Sequence, residues 1–336
     1  MTKPIVLHLL DDVTPGGVTR VVDHLMASPV LNAQAVHHRR VLNGNRLSAP
    51  AMQADIIVSH LTMSWRNLPM LISLRAKHPN AVLIHVEHSY TKSFTALNVT
   101  NRERFFTLLR TGFALFDQVV AVSRAQGNWL VTRGLVAQDR LQVIRSAVDL
   151  MGFAALPAPS GVPKVFGAIG RLHEQKGFDG LIAAFAKVDA PDIRLKVFGE
   201  GPMQATLEGL AAADPRVTLE GFRPDPVQAM AEIDALLVPS RWEAFGLVAQ
   251  EALAAGRMTL VAPIDGLLDQ EIDGARVVSG LGNSVWTQAI TAACTVKAGP
   301  SVVNQTDMAE RQKQRFQKDW SRLFGEALQK EMQPAA

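Results

Sequence analysis

Short apolar runs alternate with stretches of helical spacing along the whole chain, and turn residues separate them. Ile5 to Leu10 reads as a buried strand, after which Val18, Val21, Val22, Leu25 and Met26 recur at the helical period. Strands follow near Ala35 to Leu42 and at Asp55 to Ser59, with a turn at Asn43-Gly44 between them. A helix is expected over Asn67 to Lys77 and a strand over Ala81 to Val86. Thr91 to Thr100 is polar and reads as a mobile loop. Arg102 to Leu115 is helical, Gln118 to Val122 a strand, Ser123 an N-cap for a helix over Ala125 to Arg133, and Leu141 to Ile144 a further strand.

Ala154 to Pro163 gathers Pro157, Pro159, Ser160, Gly161 and Pro163, which reads as a linker. A second series then begins. Strands are expected at Val165 to Ile169, Ile193 to Phe198, Val217 to Leu219, Ala235 to Pro239, Met258 to Ala262 and Arg276 to Val278. Helices fall between them at Phe178 to Val188, Met203 to Ala213, Val227 to Ile233 and Phe245 to Ala255. A helix from Asn283 to Val296 and a long one from Asp307 to Gln333, striped with Met308, Phe316, Trp320, Leu323, Phe324 and Leu328, complete the chain. So regular an alternation implies an α/β protein with a doubly wound parallel sheet in each half. The expected layout is an N-terminal domain over 1–153, a linker over 154–163, a second domain over 164–304 and a terminal helix and tail over 305–336.

Composition narrows the class. The 336 residues are 48% hydrophobic and 19% charged, which describes a folded chain long enough for two domains. A net charge of +3 with sparse aromatics argues against a nucleic-acid channel. Arg102, Arg104 and Arg110 among Phe105, Phe106 and Leu109 leave two readings open, contact with lipid headgroups or a packed helix with a solvated basic face. The lone Cys294 rules out an internal disulfide or a multi-cysteine zinc site, and with an N-terminus unlike a signal peptide it points to the cytoplasm. No metal-ligand cluster and no cofactor motif stands out.

The chemistry concentrates where strands end and helices begin. From Val238 to Gly256 a strand stops at Ser240, a short loop carries Glu243, and the next helix is expected to open with the free N–H groups of Phe245, Gly246, Leu247 and Val248. Such a start suits a phosphate, and Glu243 and Glu251 flank it, ready to accept from ligand hydroxyls. Gly170 to Gly177 joins another strand to its helix and places Arg171 and Lys176 for a charge-assisted grip on phosphate. Pro15-Gly16-Gly17 turns the first strand into its helix. Glu87-His88-Ser89 ends another strand, and His60 occupies a similar place. Phe198 to Pro202 reads as turn chemistry, whereas Gly221-Phe222-Arg223-Pro224 follows a strand where a base could sit.

Glu243 and Glu251 with Phe245-Gly246-Leu247 between them, after Val238-Pro239-Ser240, closely resemble the signature of retaining GT-B-fold glycosyltransferases of family 4. Gly170-Arg171-Leu172 with Lys176-Gly177 resembles that family's diphosphate-binding loop. The resemblance is dense from Gly167 to Val278. It implies two Rossmann-like domains facing a cleft, a final helix crossing back to the first domain, and metal-independent transfer of a glycosyl group from a nucleotide-diphosphate sugar with retention. In that scheme Glu243, His88, Arg171 and Lys176 are catalytic. Gly16, Gly17, Phe222, Arg223, Phe245, Gly246, Leu247, Val248 and Glu251 bind substrate, Phe222 and Arg223 at the base and Glu251 at the ribose. The Thr91 to Thr100 loop falls on the side of the acceptor, which would be a glycan, a lipid-linked molecule or a small molecule. Ala244, Ser146 and Ile264-Asp265-Gly266 depart from the family pattern. A sugar-nucleotide epimerase or hydrolase on the same fold, or a non-catalytic sugar-nucleotide binder, stays open beside the transferase.

Overall fold

Two six-stranded parallel sheets organise the computed structural model, which describes residues 3–11, 14, 16–42, 47–297 and 304–331. Pro15 and the Asn43-Gly44 turn lie outside the described residues. The chain divides into two compact units, Met1–Val148 with Gln312–Ala336, and Asp149–Arg311.

In the first unit β1 (Ile5–Leu10), β2 (Val36–Val41), β3 (Ile56–Ser59), β4 (Val82–Glu87), β5 (Gln118–Ala121) and β6 (Leu141–Val143) pair in the order β2-β1-β3-β4-β5-β6. Helices cover a parallel sheet on both faces, so its central strands are apolar almost throughout, as β3 is. One face packs Leu7, Leu9, Ile57 and Leu83 against Leu71, Leu109, Phe113 and Phe116. On the other face lies the helix Gly17–Met26 with Val21, Val22 and Leu25 buried. From Gln312 on, the final helix Gln305–Glu331 belongs to this unit, where Phe316 packs on His24 and Phe324 on His37.

The second unit holds β7 (Val165–Ile169), β8 (Arg194–Phe198), β9 (Val217–Gly221), β10 (Ala235–Val238), β11 (Met258–Val261) and β12 (Arg276–Val277) in the order β12-β11-β10-β7-β8-β9. In both sheets the strand order reverses once, between β1 and β3 and between β7 and β10. Loops leave such a switch point in opposite directions and open a crevice at the carboxyl ends of the strands.

Two expectations need correction, and one open choice is decided. Thr91 to Thr100 contains a helix, Lys92–Asn98: the Thr91 hydroxyl caps it by accepting from the Phe94 N–H, and Phe94 packs on Tyr90 and Phe105. The breaker-rich stretch 154–163 lies inside the second unit, which begins at Asp149. Its Pro157 carbonyl accepts from Arg257 and its Leu156 carbonyl from Gln305, so neighbouring side chains fasten it. The basic helix Arg102–Phe113 is a packed one, with Phe106, Leu109 and Phe113 in the core, Arg104 over Trp65 and Arg110 on the Gly134 carbonyl. No described helix is long and apolar enough to cross a membrane.

Candidate active site

The loops that follow β7 and β10 meet at the switch point of the second sheet. The Arg241 N–H donates to the Gln175 carbonyl at 2.7 Å, and Gln175 Nε2 donates to the Trp242 carbonyl at 3.0 Å. Arg241 adds a bond to the Glu174 carbonyl and an ion pair with Asp179 at 2.7 Å. This fastening brings together residues 67 positions apart: Lys176 Nζ lies 2.6 Å from Glu243 Oε2, and the Ser240 hydroxyl donates to the same oxygen at 3.2 Å. The two side chains are 18% and 14% exposed, enough for a ligand to reach them and little enough to limit screening by water. Arg171 is exposed and makes no side-chain hydrogen bond or ion pair among the described residues.

The helix after Glu243 starts two residues later than its apolar spacing suggests, at Leu247–Ala254. Gly246 caps it with φ 89°, and a Cβ there would stand 2.5 Å from Leu267 Cδ2. That left-handed residue bends Phe245 out of the helix, so the donors that open the first turn are the N–H groups of Leu247 and Val248. Glu251 falls on the second turn and is only 2% exposed.

Asp265 is a part of this site that the sequence did not single out as functional. It stands at φ 40°, uncommon for a residue with a side chain, and its Oδ2 accepts from the Glu243 N–H at 3.4 Å. The Gly266 N–H donates to the Glu243 carbonyl at 3.0 Å, and a Cβ on Gly266 would meet the Ala244 carbonyl oxygen at 2.0 Å. Its position just after β11, the strand beside β10, is the signal that could have found it.

Phe222 and Arg223 follow β9, at the sheet edge. Phe222 is 54% exposed, an open platform. Arg223 is committed within its unit: it donates to the Glu220 carbonyl at 2.9 Å, lies 3.8 Å from Glu232 and stands over the Phe198 ring. Gly199, at φ 139°, packs against the Gly170 carbonyl, where a Cβ would come within 1.9 Å. The turn at Phe198 to Pro202 is therefore a packing device, as its composition suggests.

The switch point of the first sheet holds a pocket of about 160 Å³ lined by Asp11, Thr19, His60, Thr62, His88 and Tyr90 among others. Thr62 donates to Asp11 through its N–H at 2.7 Å and its hydroxyl at 2.5 Å. Glu87 accepts from the N–H groups of Ser89 and Tyr90 at 2.7 and 2.9 Å, and the Tyr90 hydroxyl donates to the Met63 carbonyl. His88 Nε2 lies 2.9 Å from His60 Nδ1. Burial holds the His88 ring down to about 4, so it is neutral at physiological pH. Gly16 caps the helix Gly17–Met26 in an extended conformation, and Val18 and Thr19 of that helix reach the pocket wall.

Among the described residues no group of three or more His, Cys, Asp and Glu is placed to hold a metal ion.

Residues 163–294, which contain the whole Lys176 and Glu243 cluster, match the model of the family described as "Glycosyl transferases group 1". A D-inositol 3-phosphate glycosyltransferase of Segniliparus rotundus is 34% identical over 243 residues, 65% of this chain and 53% of that one. A glycogen synthase of Acidiphilium cryptum is 36% identical over 130 residues, 37% of this chain and 27% of that one. The chain thus spans about half or less of the length of these curated relatives. Among solved structures, Anabaena HepE in complex with UDP-glucose superposes with a TM-score of 0.71 at 19% identity over 96% of this chain and 100% of that one. An Escherichia coli structure titled as trehalose-6-phosphate bound with UDP-2-fluoro glucose gives 0.73 at 14% identity, covering 96% and 98%. The two switch-point sheets and these likenesses lead to one assignment: the chain has the GT-B fold, and its residues 163–294 match the family of group 1 glycosyl transferases.

Proposed function

We propose that the protein transfers a glycosyl group from a nucleotide-diphosphate sugar to an acceptor, with retention at the anomeric carbon and without a metal ion. The observation that carries this reading is the cluster of Lys176, Glu243 and Ser240 beside the helix that opens at Leu247, with the unpaired Arg171 on the adjoining loop. Departure of the diphosphate leaves negative charge on its oxygens. Arg171, Lys176 and the N–H groups of Leu247 and Val248 are the groups to receive it, and preorganised donors of this kind supply the largest share of catalysis in charge-separating reactions. The ammonium of Lys176 has three donors, so it holds Glu243 through one and keeps two for phosphate oxygens.

Glu243 is read as the carboxylate beside the reacting sugar. Its negative charge favours the positive charge that develops at the anomeric carbon as the bond to the diphosphate breaks. Glu251 is read as the acceptor for ribose hydroxyls, Phe222 and Arg223 as the side of the base, and His88 with Gly16 and Gly17 as contacts on the first unit. Phe245 and Gly246 shape the phosphate turn. Retention is proposed from the motif resemblance, and the independence from metal from the cations and helix start that take over its charge. The titles of the HepE structures name UDP and UDP-glucose, which makes a uridine diphosphate hexose the first donor to test. The acceptor is proposed only as a class: a glycan, a lipid-linked molecule or a small molecule.

The test is incubation with a uridine diphosphate hexose and a panel of glycosides, lipid-linked sugars and small polyols, with the product's anomeric configuration read by NMR. An α-linked product from an α-linked donor is expected. A β-linked product contradicts retention, and release of free sugar with every acceptor contradicts transfer.

A further inference from the structure

The 3₁₀ helix Asp265–Asp273, which follows β11, is moulded to the turn that precedes the helix Leu247–Ala254. Strands β10 and β11 are parallel neighbours with Val238 beside Val261, so their loops leave the sheet side by side. Each residue of the turn 243–246 is met by one from 265–270. The Gly266 N–H donates to the Glu243 carbonyl at 3.0 Å, and Asp265 Oδ2 accepts from the Glu243 N–H at 3.4 Å. A Cβ on Gly266 would lie 2.0 Å from the Ala244 oxygen and 2.8 Å from the Phe245 Cα, so main chain packs directly on main chain. Gln270 is fully buried, and its Nε2 donates to the Phe245 carbonyl at 3.0 Å. Leu267 Cδ2 fills the place that a Cβ on Gly246 would need.

One member of this mould carries a conformational cost. Among the described residues Asp265 is the only one with a side chain at positive φ, 40°. A glycine would make the same turn without that cost, and aspartate and asparagine are the residues with a side chain that tolerate it best. The carboxylate has to offset the strain. One contact that does so is with the Glu243 N–H, and Asp265 is only 9% exposed, so little water competes for it. Strain held at a single residue beside a candidate reacting group points to a constraint tied to function.

The hold on Glu243 has a geometric consequence. Its N–H belongs to the peptide plane before its Cα and its carbonyl to the plane after it. Fixing both planes fixes the two soft dihedrals of the residue, and with them the direction of its Cα–Cβ bond. The side chain so aimed is the one whose Oε2 takes Lys176 Nζ at 2.6 Å and the Ser240 hydroxyl at 3.2 Å.

We propose that Asp265 is a positioning residue for Glu243, locking with Gly266 the two peptide planes that aim the Glu243 side chain at Lys176 and the reacting sugar. The aim at a sugar rests on the glycosyl-transfer reading; the hold on Glu243 does not. Asp265→Gly removes the carboxylate and Asp265→Asn keeps an acceptor oxygen. Both residues allow the left-handed turn, so both variants should fold. Hydrogen–deuterium exchange resolved to single amides, on unliganded protein at neutral pH, reads the hold directly. The Glu243 amide should exchange about three- to tenfold faster in Asp265→Gly, as the loss of one hydrogen bond allows, and within about twofold of wild type in Asp265→Asn. Transfer from a uridine diphosphate hexose to the acceptor panel reads the consequence. Asp265→Gly should lower kcat about three- to tenfold with the donor KM within about twofold, and Asp265→Asn should recover most of that loss. A role in folding alone would give neither the split nor the recovery. Unchanged exchange at Glu243 or wild-type kcat in Asp265→Gly overturns the positioning role, and so does a kcat in Asp265→Asn as low as in Asp265→Gly. A loss in Asp265→Gly confined to the donor KM overturns it too, since it would make Asp265 a ligand contact. If the wild type transfers nothing across the panel, the glycosyl-transfer reading falls, and the exchange result alone decides whether Asp265 holds Glu243.

Discussion

Lys176 and Glu243 are two residues that a linear reading treats as separate loop charges and that the fold makes into one group. Removing the ammonium by Lys176→Ala would take away the proposed phosphate contact and leave Ser240, among the described residues, as the side-chain partner of Glu243. Transfer efficiency should fall about ten- to a hundredfold, with folding retained, and steady-state kinetics over a range of donor concentrations checks it. The two glutamates should separate kinetically. Glu243→Gln should mainly lower kcat, because its contact strengthens as charge develops, whereas Glu251→Gln should mainly raise the donor KM. Reversed behaviour would place the sugar at the wrong end of the motif. The residue types at these positions were legible because strand ends announce loops, and loops at a parallel sheet's carboxyl end carry function. The bonds of Arg223 to Glu220 and Glu232 were not, since nothing in sequence order tells which loop a long side chain will fold onto. The buried histidines of the first unit bear on stability. His8 and His88 stay neutral in the folded protein down to about 3 and about 4, while an unfolded histidine takes a proton near 6.5. A lowered folded pKa makes this stability fully present above pH ~6.5 and lost as pH falls toward the folded values, by up to about 1.4 kcal/mol per pH unit and ring. Urea midpoints should drop between pH 7 and pH 5, above the range where carboxylates titrate; a flat midpoint there would mean that the rings protonate in place.

Helix starts and short helices separate what pattern can and cannot supply. Apolar spacing carries Phe245 into the helix, yet the left-handed Gly246 delays the start to Leu247, because the chain must turn against Leu267 before it can coil. Gly246→Ala should therefore destabilise the second unit by about 1–3 kcal/mol and weaken phosphate binding as well; a urea melt with an unchanged midpoint would contradict the strained turn. Lys92–Asn98 was hidden because polar composition says loop, while a capping threonine and one aromatic anchor are enough to fix a short helix. The stretch 154–163 has the breakers of a linker, but Arg257 and Gln305 hold its carbonyls, and those partners lie far along the chain. Strands were easier to read, since a strand buried on both faces must be apolar throughout and few other elements are.

At the scale of the molecule, two parallel sheets each reverse their strand order once, and the two clusters of candidate chemistry stand at those two reversals. Alternation of strand and helix was sufficient to foresee the sheets; the strand order that creates the crevices depends on crossovers that periodicity does not record. In the proposed function the loops after β7 and β10 grip a nucleoside diphosphate through Lys176 and Arg171. Calorimetric titration of the wild type, Arg171→Ala and Lys176→Ala with the diphosphates of uridine, guanosine and adenosine tests it most directly. We expect the wild type to bind at least one of the three and each variant to bind that one about ten- to a hundredfold more weakly. Binding by either variant as strong as that of the wild type, or no binding of any of the three by the wild type, would mean that these two cations do not hold the diphosphate.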